Sequence, residues 1–239
     1  MMYLNSMQQA LRSALLQQAE EAFSEKPDLA GVVHGRRRIT QGARGKRTAL
    51  FPSRKNDLTV ALESQIEAAF CLLLERDPEV TGYRCQSLEI ELGLGESYIS
   101  DFLFQTRAGS WEVKEIKPSR AHLNDDTRVR LAKVNALLTQ SGFGFSVGDL
   151  TNMPGPIELE NLFALYQRSS IRPWSHQECD LALAQLHKLP QPRMLGAWYV
   201  HLHDAGLSPL LADHLLFHGL ATANLKRALR LDMQVGVPV

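Results

Sequence analysis

The sequence predicts an α/β fold, a mixed β-sheet flanked by helices, followed by a small helical domain. Helical and strand patterns alternate over residues 59–167, whereas residues 177–217 are helical in pattern throughout. Segment 171–173, which contains Pro173, lies between the two patterns and marks the expected boundary. We therefore expect an N-terminal helix and arm at 1–35, an α/β domain at 36–171 and a helical, winged-helix-like domain at 172–239.

Helical periodicity characterises the first part of the chain. Segment 4–24 carries leucines at the spacing of one face of an amphipathic helix. A second helix is expected over 59–75, where apolar residues recur at i, i+3, i+4 and i+7. It should end before Pro78, because the residue that precedes proline avoids helical conformation.

A three-strand meander is expected after this helix. Segment 87–92 alternates apolar and polar residues, as a half-buried strand does, and glycine-containing turns separate it from strands at 98–105 and 111–117. The remaining elements are expected to be a helix at 126–139, a strand at 143–147, and helices at 159–167, 177–186, 193–203 and 208–217.

Composition excludes several classes of protein. Hydrophobic residues make up 44% and charged residues 22%, as in ordinary globular domains. Cys71, Cys85 and Cys179 form no C-x-x-C pair, which argues against a disulfide framework or a zinc knuckle. No stretch approaches the roughly 20 apolar residues of a membrane span, and the N-terminus lacks a signal-peptide pattern. We expect a cytoplasmic protein with no membrane partner.

Charge is unevenly distributed, although Lys+Arg and Asp+Glu both total 26. Segment 34–56 contains eight basic residues and no acidic one. Such a run either binds phosphate groups, as in a nucleic acid, or forms a solvated arm. The residues predicted to make phosphate contacts are Arg36, Arg37, Arg38, Arg44, Lys46, Arg47 and Lys55.

Acidic residues on two expected strands form the candidate catalytic site. Antiparallel pairing of these strands would bring the carboxylates of Asp101 and Glu115 side by side. Opposed carboxylates repel each other unless a divalent cation binds between them, and Mg²⁺ accepts such oxygens together with water and phosphate. The carbonyl of Ile116 could add an oxygen, and helical Glu67 a third carboxylate. Lys117 shares the Glu115 face and could orient or deprotonate the attacking water.

Two alternatives to this assignment remain open. Glu112 and Lys114 also fit an E-x-K spacing, three residues earlier and on the opposite face of the strand. Glu63 lies one helical turn from Glu67 on the same face and offers the same kind of ligand. Taken alone, an Asp followed by Glu-x-Lys on strands is common by chance. Charges at strand ends are, moreover, usually solvated and have no catalytic role.

Five short motifs occur in a fixed order along the chain. They are the segment 63–67, Gln86, the pair Asp101-Phe102, the segment 115–118 (Glu-Ile-Lys-Pro) and the segment 161–166. This ordered set resembles the TnsA-like endonuclease subunits of heteromeric transposases, in the PD-(D/E)XK nuclease superfamily. The first four are similar to that family's E-S-x-x-E, Q-P step, P-D-F and E-V-K-P, and the fifth to the end of its nuclease domain.

The similarity covers residues 36–168 and, more loosely, residues 212–235. The sequence departs from the pattern at Ser87 and Ser100, where the family has proline. Neither position supplies a metal ligand, so the expected chemistry does not depend on them.

The resemblance implies a restriction-endonuclease-like sheet and an Mg²⁺-dependent DNA endonuclease, with Mn²⁺ as a possible substitute. Such a subunit hydrolyses one strand, on the 5′ side, at transposon ends during cut-and-paste transposition. The implied partners are double-stranded DNA, a transposase subunit and an AAA+ ATPase regulator. The implied catalytic residues are Glu67, Asp101, Glu115 and Lys117, and the implied metal ligands are Glu67, Asp101, Glu115 and Ile116. Two alternatives are a stand-alone restriction or repair nuclease and a non-catalytic DNA-binding scaffold of the same fold.

Overall fold

The structure is a computed structural model that describes residues 6–37, 39 and 48–238. The chain divides into two compact units, Met1–Met153 and Pro154–Val239. Mixed sheets with flanking helices form the first unit, so the expected α/β class is confirmed. In the described part of the chain, no helix combines the length and the apolar character needed to cross a membrane.

In its described residues, the first unit combines three α-helices with strands that belong to three sheets. Its helices are α1 (Ser6–Ser24), α2 (Gln65–Arg76) and α3 (Asp125–Gln140). Its strands are β1 (Val32–Val33), β2 (Ala49–Ser53), β3 (Leu58–Leu62), β4 (Val80–Cys85), β5 (Glu89–Gly93), β6 (Glu96–Ile99), β7 (Phe102–Thr106), β8 (Trp111–Ile116) and β9 (Gly144–Gly148).

The central sheet has the strand order β4-β7-β8-β9, with only the β8–β9 pair parallel. Leu103 and Val113 face a core to which α1, α3 and the β5–β6 hairpin contribute. Successive residues of a strand face opposite sides of the sheet. Phe102 accordingly faces away from this core and packs edge to face against Phe70 of α2, with ring centroids 4.8 Å apart. The sheet is therefore covered on both faces.

The helix expected over 59–75 is wrong in its first part. Residues Leu58–Leu62 form β3, which pairs with β1 and β2. The helix begins at Gln65 because Ser64 caps it, accepting a hydrogen bond from the backbone N–H of Glu67. The apolar residues of β3 satisfied a helical spacing by coincidence, whereas the capping serine marks where the helix starts.

The expected three-strand meander is also wrong. β5 and β6 form a separate antiparallel hairpin, and β4, which the sequence pattern did not predict, pairs with β7 in the central sheet. The strand expected over 98–105 is therefore two strands, interrupted at Ser100 and Asp101. At the break, Ser100 donates its backbone N–H to Leu88 and accepts the N–H of Leu88 on its hydroxyl, which ties β6 back to the start of the hairpin.

The second unit contains α4 (Pro156–Ser169), α5 (His176–Lys188), α6 (Leu195–Asp204), α7 (Leu210–Phe217) and a short antiparallel pair, β10 (Thr222–Ala223) with β11 (Val235–Gly236). Helix α4 belongs to this unit, whereas the sequence placed its residues before a boundary at 171–173. The side-chain amide of Asn161 explains the difference. It donates to the carbonyls of Leu225 and Arg227 at 2.8 and 2.7 Å and accepts the N–H of Leu229 at 3.2 Å.

Candidate carboxylate site

Strands β7 and β8 bring the two predicted strand carboxylates together. Phe102 pairs with Lys114 and Leu103 with Val113, so continuation of this register places Asp101 opposite Glu115. Oδ2 of Asp101 accepts a 2.7 Å hydrogen bond from the backbone N–H of Ile116. No donor in the described part of the chain hydrogen-bonds its Oδ1. One oxygen of Asp101 is thus fixed by the neighbouring strand, and the other is available to a ligand.

Glu115 is almost fully buried, with 4% of its surface exposed. The hydroxyl of Tyr98, on β6, donates a 2.5 Å hydrogen bond to Oε2 of Glu115. The ammonium of Lys117 forms an ion pair with Oε1. Because both oxygens have donors, the buried carboxylate is held in one orientation and avoids the cost of an unpaired buried charge.

The pKa values of Asp101 and Lys117 both depart from their ordinary values. Burial and, after it, repulsion from Glu115 raise the pKa of Asp101 from 3.8 to about 7, although the N–H of Ile116 and the ammonium of Lys117 act to lower it. Burial lowers the pKa of Lys117, but the carboxylates of Glu115 and Asp101 outweigh burial and raise it overall. Lys117 is therefore protonated at neutral pH, which fits its ion pair with Glu115.

Glu67 is electrostatically linked to the pair, although its oxygens are used elsewhere. Oε1 accepts the hydroxyl of Ser64 at 2.8 Å and Oε2 accepts the backbone N–H of Glu63 at 2.9 Å, at the start of α2. Burial, together with repulsion from Glu63 and Glu115, raises the pKa of Glu67. The third predicted carboxylate thus lies near enough to interact with Glu115, but in this structure it closes the N-terminal cap of its helix.

The alternative Glu112 and Lys114 lie on the other face of β8. The Glu112 carboxylate occupies the space beside Gly144, where a Cβ atom would come within 1.9 Å of Oε2. The ammonium of Lys114 lies 5.7 Å from the ring centroid of Phe70. Neither side chain faces Asp101, so the geometry favours Glu115 and Lys117 as the E-x-K motif.

The predicted phosphate-binding residues divide into three groups. Arg36 and Arg37 are both exposed, and Arg36 also donates to the Ser87 carbonyl at 3.1 Å and forms a 3.5 Å ion pair with Glu89. The ammonium of Lys55 donates to the carbonyls of Asp77 and Val80, which makes it part of the local fold. Arg38, Arg44, Lys46 and Arg47 lie outside the described residues.

Sequence reasoning missed Tyr98 and Arg130. Tyr98 was expected at the start of a strand continuous with Asp101, and nothing in that pattern indicates that its hydroxyl reaches Glu115. Arg130, on α3, donates to the carbonyl of Ser97 at 2.7 Å, and its guanidinium carbon lies 6.0 Å from the Tyr98 ring centroid. Both contacts depend on the separate β5–β6 hairpin, which the predicted meander did not include.

The donor set is suited to a hard divalent cation. In the ranges that the structure describes, no group of three or more His, Cys, Asp or Glu side chains is arranged to hold a metal ion. Asp101 and Glu115 nevertheless supply two carboxylates, and Mg²⁺ commonly binds through one or two carboxylates while water and substrate phosphate complete its shell. Two opposed carboxylates, with a third nearby on α2, therefore fit Mg²⁺ better than a metal that requires a complete protein cage.

Comparison with known proteins adds no assignment to this geometry. No model of a protein family matches the chain. A search of curated proteins gives no match either. A function for the site therefore depends on the arrangement of Asp101, Glu115 and Lys117.

Proposed function

We propose that the protein is a metal-dependent DNA endonuclease of the PD-(D/E)XK type. The observation that supports this function best is the opposition of Asp101 and Glu115 on paired strands, with Lys117 bound to the same Glu115 carboxylate. Like charges directly opposed across a strand pair destabilise a sheet, so a purely structural role for this pair is unfavourable. A site that binds a cation and hydrolyses phosphodiesters accounts for all three residues.

The proposed chemistry assigns a separate task to each residue. Asp101 and Glu115 would hold Mg²⁺ or Mn²⁺, with the carbonyl of Ile116 as a further oxygen ligand. The bound ion would supply Lewis-acid activation of the scissile phosphate and of the attacking water. Lys117 carries a raised pKa, which favours orienting the water and stabilising phosphate charge over removing a proton. Glu67 could join the ligands through the remaining lone pairs of its two oxygens, which already accept the Ser64 hydroxyl and the N–H of Glu63.

The proposed substrate is double-stranded DNA at transposon ends, and the proposed product is a break in one strand, on the 5′ side. This part of the proposal rests on the resemblance of segments 63–67 and 115–118 and of Asp101-Phe102 to TnsA-like subunits. It includes a transposase subunit and an AAA+ ATPase regulator as partners and a cytoplasmic location. The second unit, whose helices carry none of the carboxylates described above, is the proposed surface for these partners.

One observation favours a second candidate, a non-catalytic DNA-binding scaffold of the same fold. Lys117 and Tyr98 satisfy both oxygens of Glu115 without an ion, so the site does not need a metal to bury this carboxylate. Against it, Oδ1 of Asp101 accepts no hydrogen bond from the described residues, so this oxygen is available to a metal ion. A stand-alone nuclease would have the same site and would differ in its partners.

The deciding experiment is nicking of a supercoiled plasmid that carries transposon ends, with Mg²⁺, with Mn²⁺ and with EDTA, alone and with the partner transposase. We expect metal-dependent nicking that Asp101→Ala and Glu115→Ala abolish while each variant still binds DNA. Glu112→Ala is the matched control on the other strand face and should retain activity. Normal nicking by Asp101→Ala would show that the site is misassigned, and nicking that needs no transposase would favour the stand-alone nuclease.

A further inference from the structure

We propose that Tyr98 is a positioning residue, whose hydroxyl holds the Glu115 carboxylate in the orientation that binds the metal ion. This inference rests on the proposed function. It adds a residue that lies on a different sheet from the carboxylate pair and that no sequence motif indicated. Tyr98 would act through Glu115 and would not itself contact the substrate.

The contact between Tyr98 and Glu115 is short and fully enclosed. Both residues are 4% exposed, and the hydroxyl oxygen lies 2.5 Å from Oε2. Lys117 binds the other oxygen, Oε1. Two donors on the two oxygens fix the plane of the carboxylate, because rotation of the group about its last bond would break both contacts. The remaining lone pairs then point in a defined direction.

The position of Tyr98 is itself fixed from two sides. Its backbone pairs with Ile90 in the β5–β6 hairpin. Arg130 of α3 lies over its ring and hydrogen-bonds the preceding carbonyl, that of Ser97. The hairpin and α3 thus place the hydroxyl independently of strands β7 and β8, which carry the carboxylates. The orientation of Glu115 depends on the packing of these elements as well as on its own strand.

Tyr98 and Lys117 have unequal roles once a substrate is present. The side chain of Lys117 is 30% exposed, so a phosphate group or water can approach its ammonium group. Tyr98 is buried and donates a single hydrogen bond, which an incoming polar group cannot reach in the same way. When Lys117 turns to the substrate, Tyr98 is the donor that keeps Glu115 in place. Groups that orient a metal ligand in this manner typically contribute about 10- to 100-fold to metal affinity or activity.

Tyr83 provides a matched control in the same unit. Its hydroxyl donates a 2.9 Å hydrogen bond to Oε1 of Glu75, another buried carboxylate, and Tyr83 is fully buried. Tyr83→Phe therefore removes a buried tyrosine–carboxylate contact of the same kind, outside the candidate site. The two variants should lose comparable thermal stability, so any difference in metal binding reports on position relative to Glu115.

The test is a titration of the full chain with Mn²⁺, in which free Mn²⁺ is followed by electron paramagnetic resonance, alongside plasmid nicking at saturating Mn²⁺. We expect Tyr98→Phe to weaken Mn²⁺ binding by about 10- to 100-fold, and Tyr83→Phe to stay within about twofold of the unaltered protein. Arg130→Ala, which leaves the hydroxyl in place but removes the guanidinium from the ring, should weaken binding by a smaller factor. If Tyr98→Phe does not fold, the Mn²⁺ affinity of Arg130→Ala serves as the test.

Each outcome decides a different question. Equal Mn²⁺ affinity of Tyr98→Phe and the unaltered protein, with Mn²⁺ binding lost in Asp101→Ala, would overturn the positioning role and leave the nuclease proposal intact. Equal weakening by Tyr98→Phe and Tyr83→Phe would also overturn it, since the effect would then follow stability. If Tyr98→Phe does not fold, unchanged affinity in Arg130→Ala overturns it. Absence of Mn²⁺ binding by the unaltered protein would overturn the metal site and the positioning role together.

Discussion

Asp101 faces Glu115 across strands β7 and β8, and Asp101 is additionally bound to the strand that carries Glu115 through the N–H of Ile116. This hydrogen bond fixes the distance between two carboxylates that repel each other. Burial and this repulsion raise the pKa of Asp101 to about 7, so the charged form of Asp101 carries an energetic cost in the folded protein. Such a cost is measurable in the metal-free protein, without any assay of activity.

The first prediction concerns the pH dependence of stability in EDTA. The folded-state pKa of Asp101 lies above its ordinary value of 3.8, so the folded protein binds the proton more tightly than the unfolded chain does. This difference in pKa adds on the order of a few kcal/mol to the free energy of unfolding. The added stability is fully present below about pH 4 and is lost as the pH rises towards 7. The pKa of Glu67 is also raised, so its contribution to stability falls with rising pH as well. Urea unfolding at pH 5 and pH 8 measures the fall in the free energy of unfolding.

Asp101→Asn should remove most of this dependence. Asparagine still accepts the N–H of Ile116 but carries no charge, so at pH 8 the variant should be more stable than the unaltered protein in EDTA. Mg²⁺ should stabilise the unaltered protein and leave Asp101→Asn unchanged, because a ligand stabilises only the state that binds it. Glu112→Gln, on the other strand face, is the control. A variant less stable than the unaltered protein at pH 8 would contradict the assigned repulsion.

The pairing of Asp101 with Glu115 could be predicted because it depends on local pattern. Two apolar strands separated by a short turn at residues 107–109 pair as neighbours, and the spacing fixes which residues are opposed. The contribution of Tyr98 could not be predicted in this way. Tyr98 lies on β6, which is separated from β7 of the central sheet by the break at Ser100. Its contact with Glu115 arises only when the β5–β6 hairpin packs against α3.

The start of α2 illustrates the same distinction between local and long-range information. Ser64 is a local capping signal that was present in the sequence, and it places the helix start after β3. The helical spacing of apolar residues begins at Leu62, the last residue of β3, because the buried end of a strand can continue the spacing of a helix face. The pairing of β3 with β1 and β2, which decides the matter, involves residues distant in sequence.

The second prediction tests Glu67 as a metal ligand. Glu67→Gln can keep both capping contacts, because the amide oxygen accepts the N–H of Glu63 and the amide NH2 donates to the hydroxyl oxygen of Ser64. We expect the free energy of unfolding to change by less than about 1 kcal/mol. If Glu67 joins the ligands in the metal-bound state, Mn²⁺ affinity should fall by about tenfold or more. Isothermal titration calorimetry measures this affinity. Unchanged affinity would restrict the site to the two strand carboxylates and leave Glu67 a capping residue.

The third prediction distinguishes Arg37, which is expected to contact DNA, from Lys55, which stabilises the fold. Arg37 is exposed, so Arg37→Ala should weaken DNA binding at all sequences and lower the salt slope of affinity by about one. Lys55 holds the carbonyls of Asp77 and Val80, and its loss should cost about 1–2 kcal/mol of stability while the slope is unchanged.

Fluorescence anisotropy across a series of salt concentrations gives the slopes, and urea unfolding gives the stabilities. The two variants serve as controls for each other, because each removes one positive charge from the same basic segment. A lower slope for Lys55→Ala, without loss of stability, would show that this lysine contacts DNA directly. An unchanged slope for Arg37→Ala would favour a solvated arm.

The last prediction concerns where the chain can be cut. Helix α4 packs against α7, with the rings of Tyr166 and Phe217 5.1 Å apart, and Asn161 binds the backbone of segment 225–229. A fragment ending at Met153 should therefore be monodisperse and folded, whereas one ending at residue 171 carries α4 without its partner. In that fragment the side chains of Leu162, Leu165 and Tyr166, which are buried in the full chain, would become exposed, at a cost of roughly 1.5–3 kcal/mol each. We expect fragment 1–171 to aggregate or to leave α4 unprotected in hydrogen exchange. Conversely, fragment 154–239 should fold and bind the proposed transposase partner, while fragment 172–239 should do neither. Protected α4 amides in a monomeric 1–171 fragment would instead assign this helix to the first unit, as the sequence boundary had placed it.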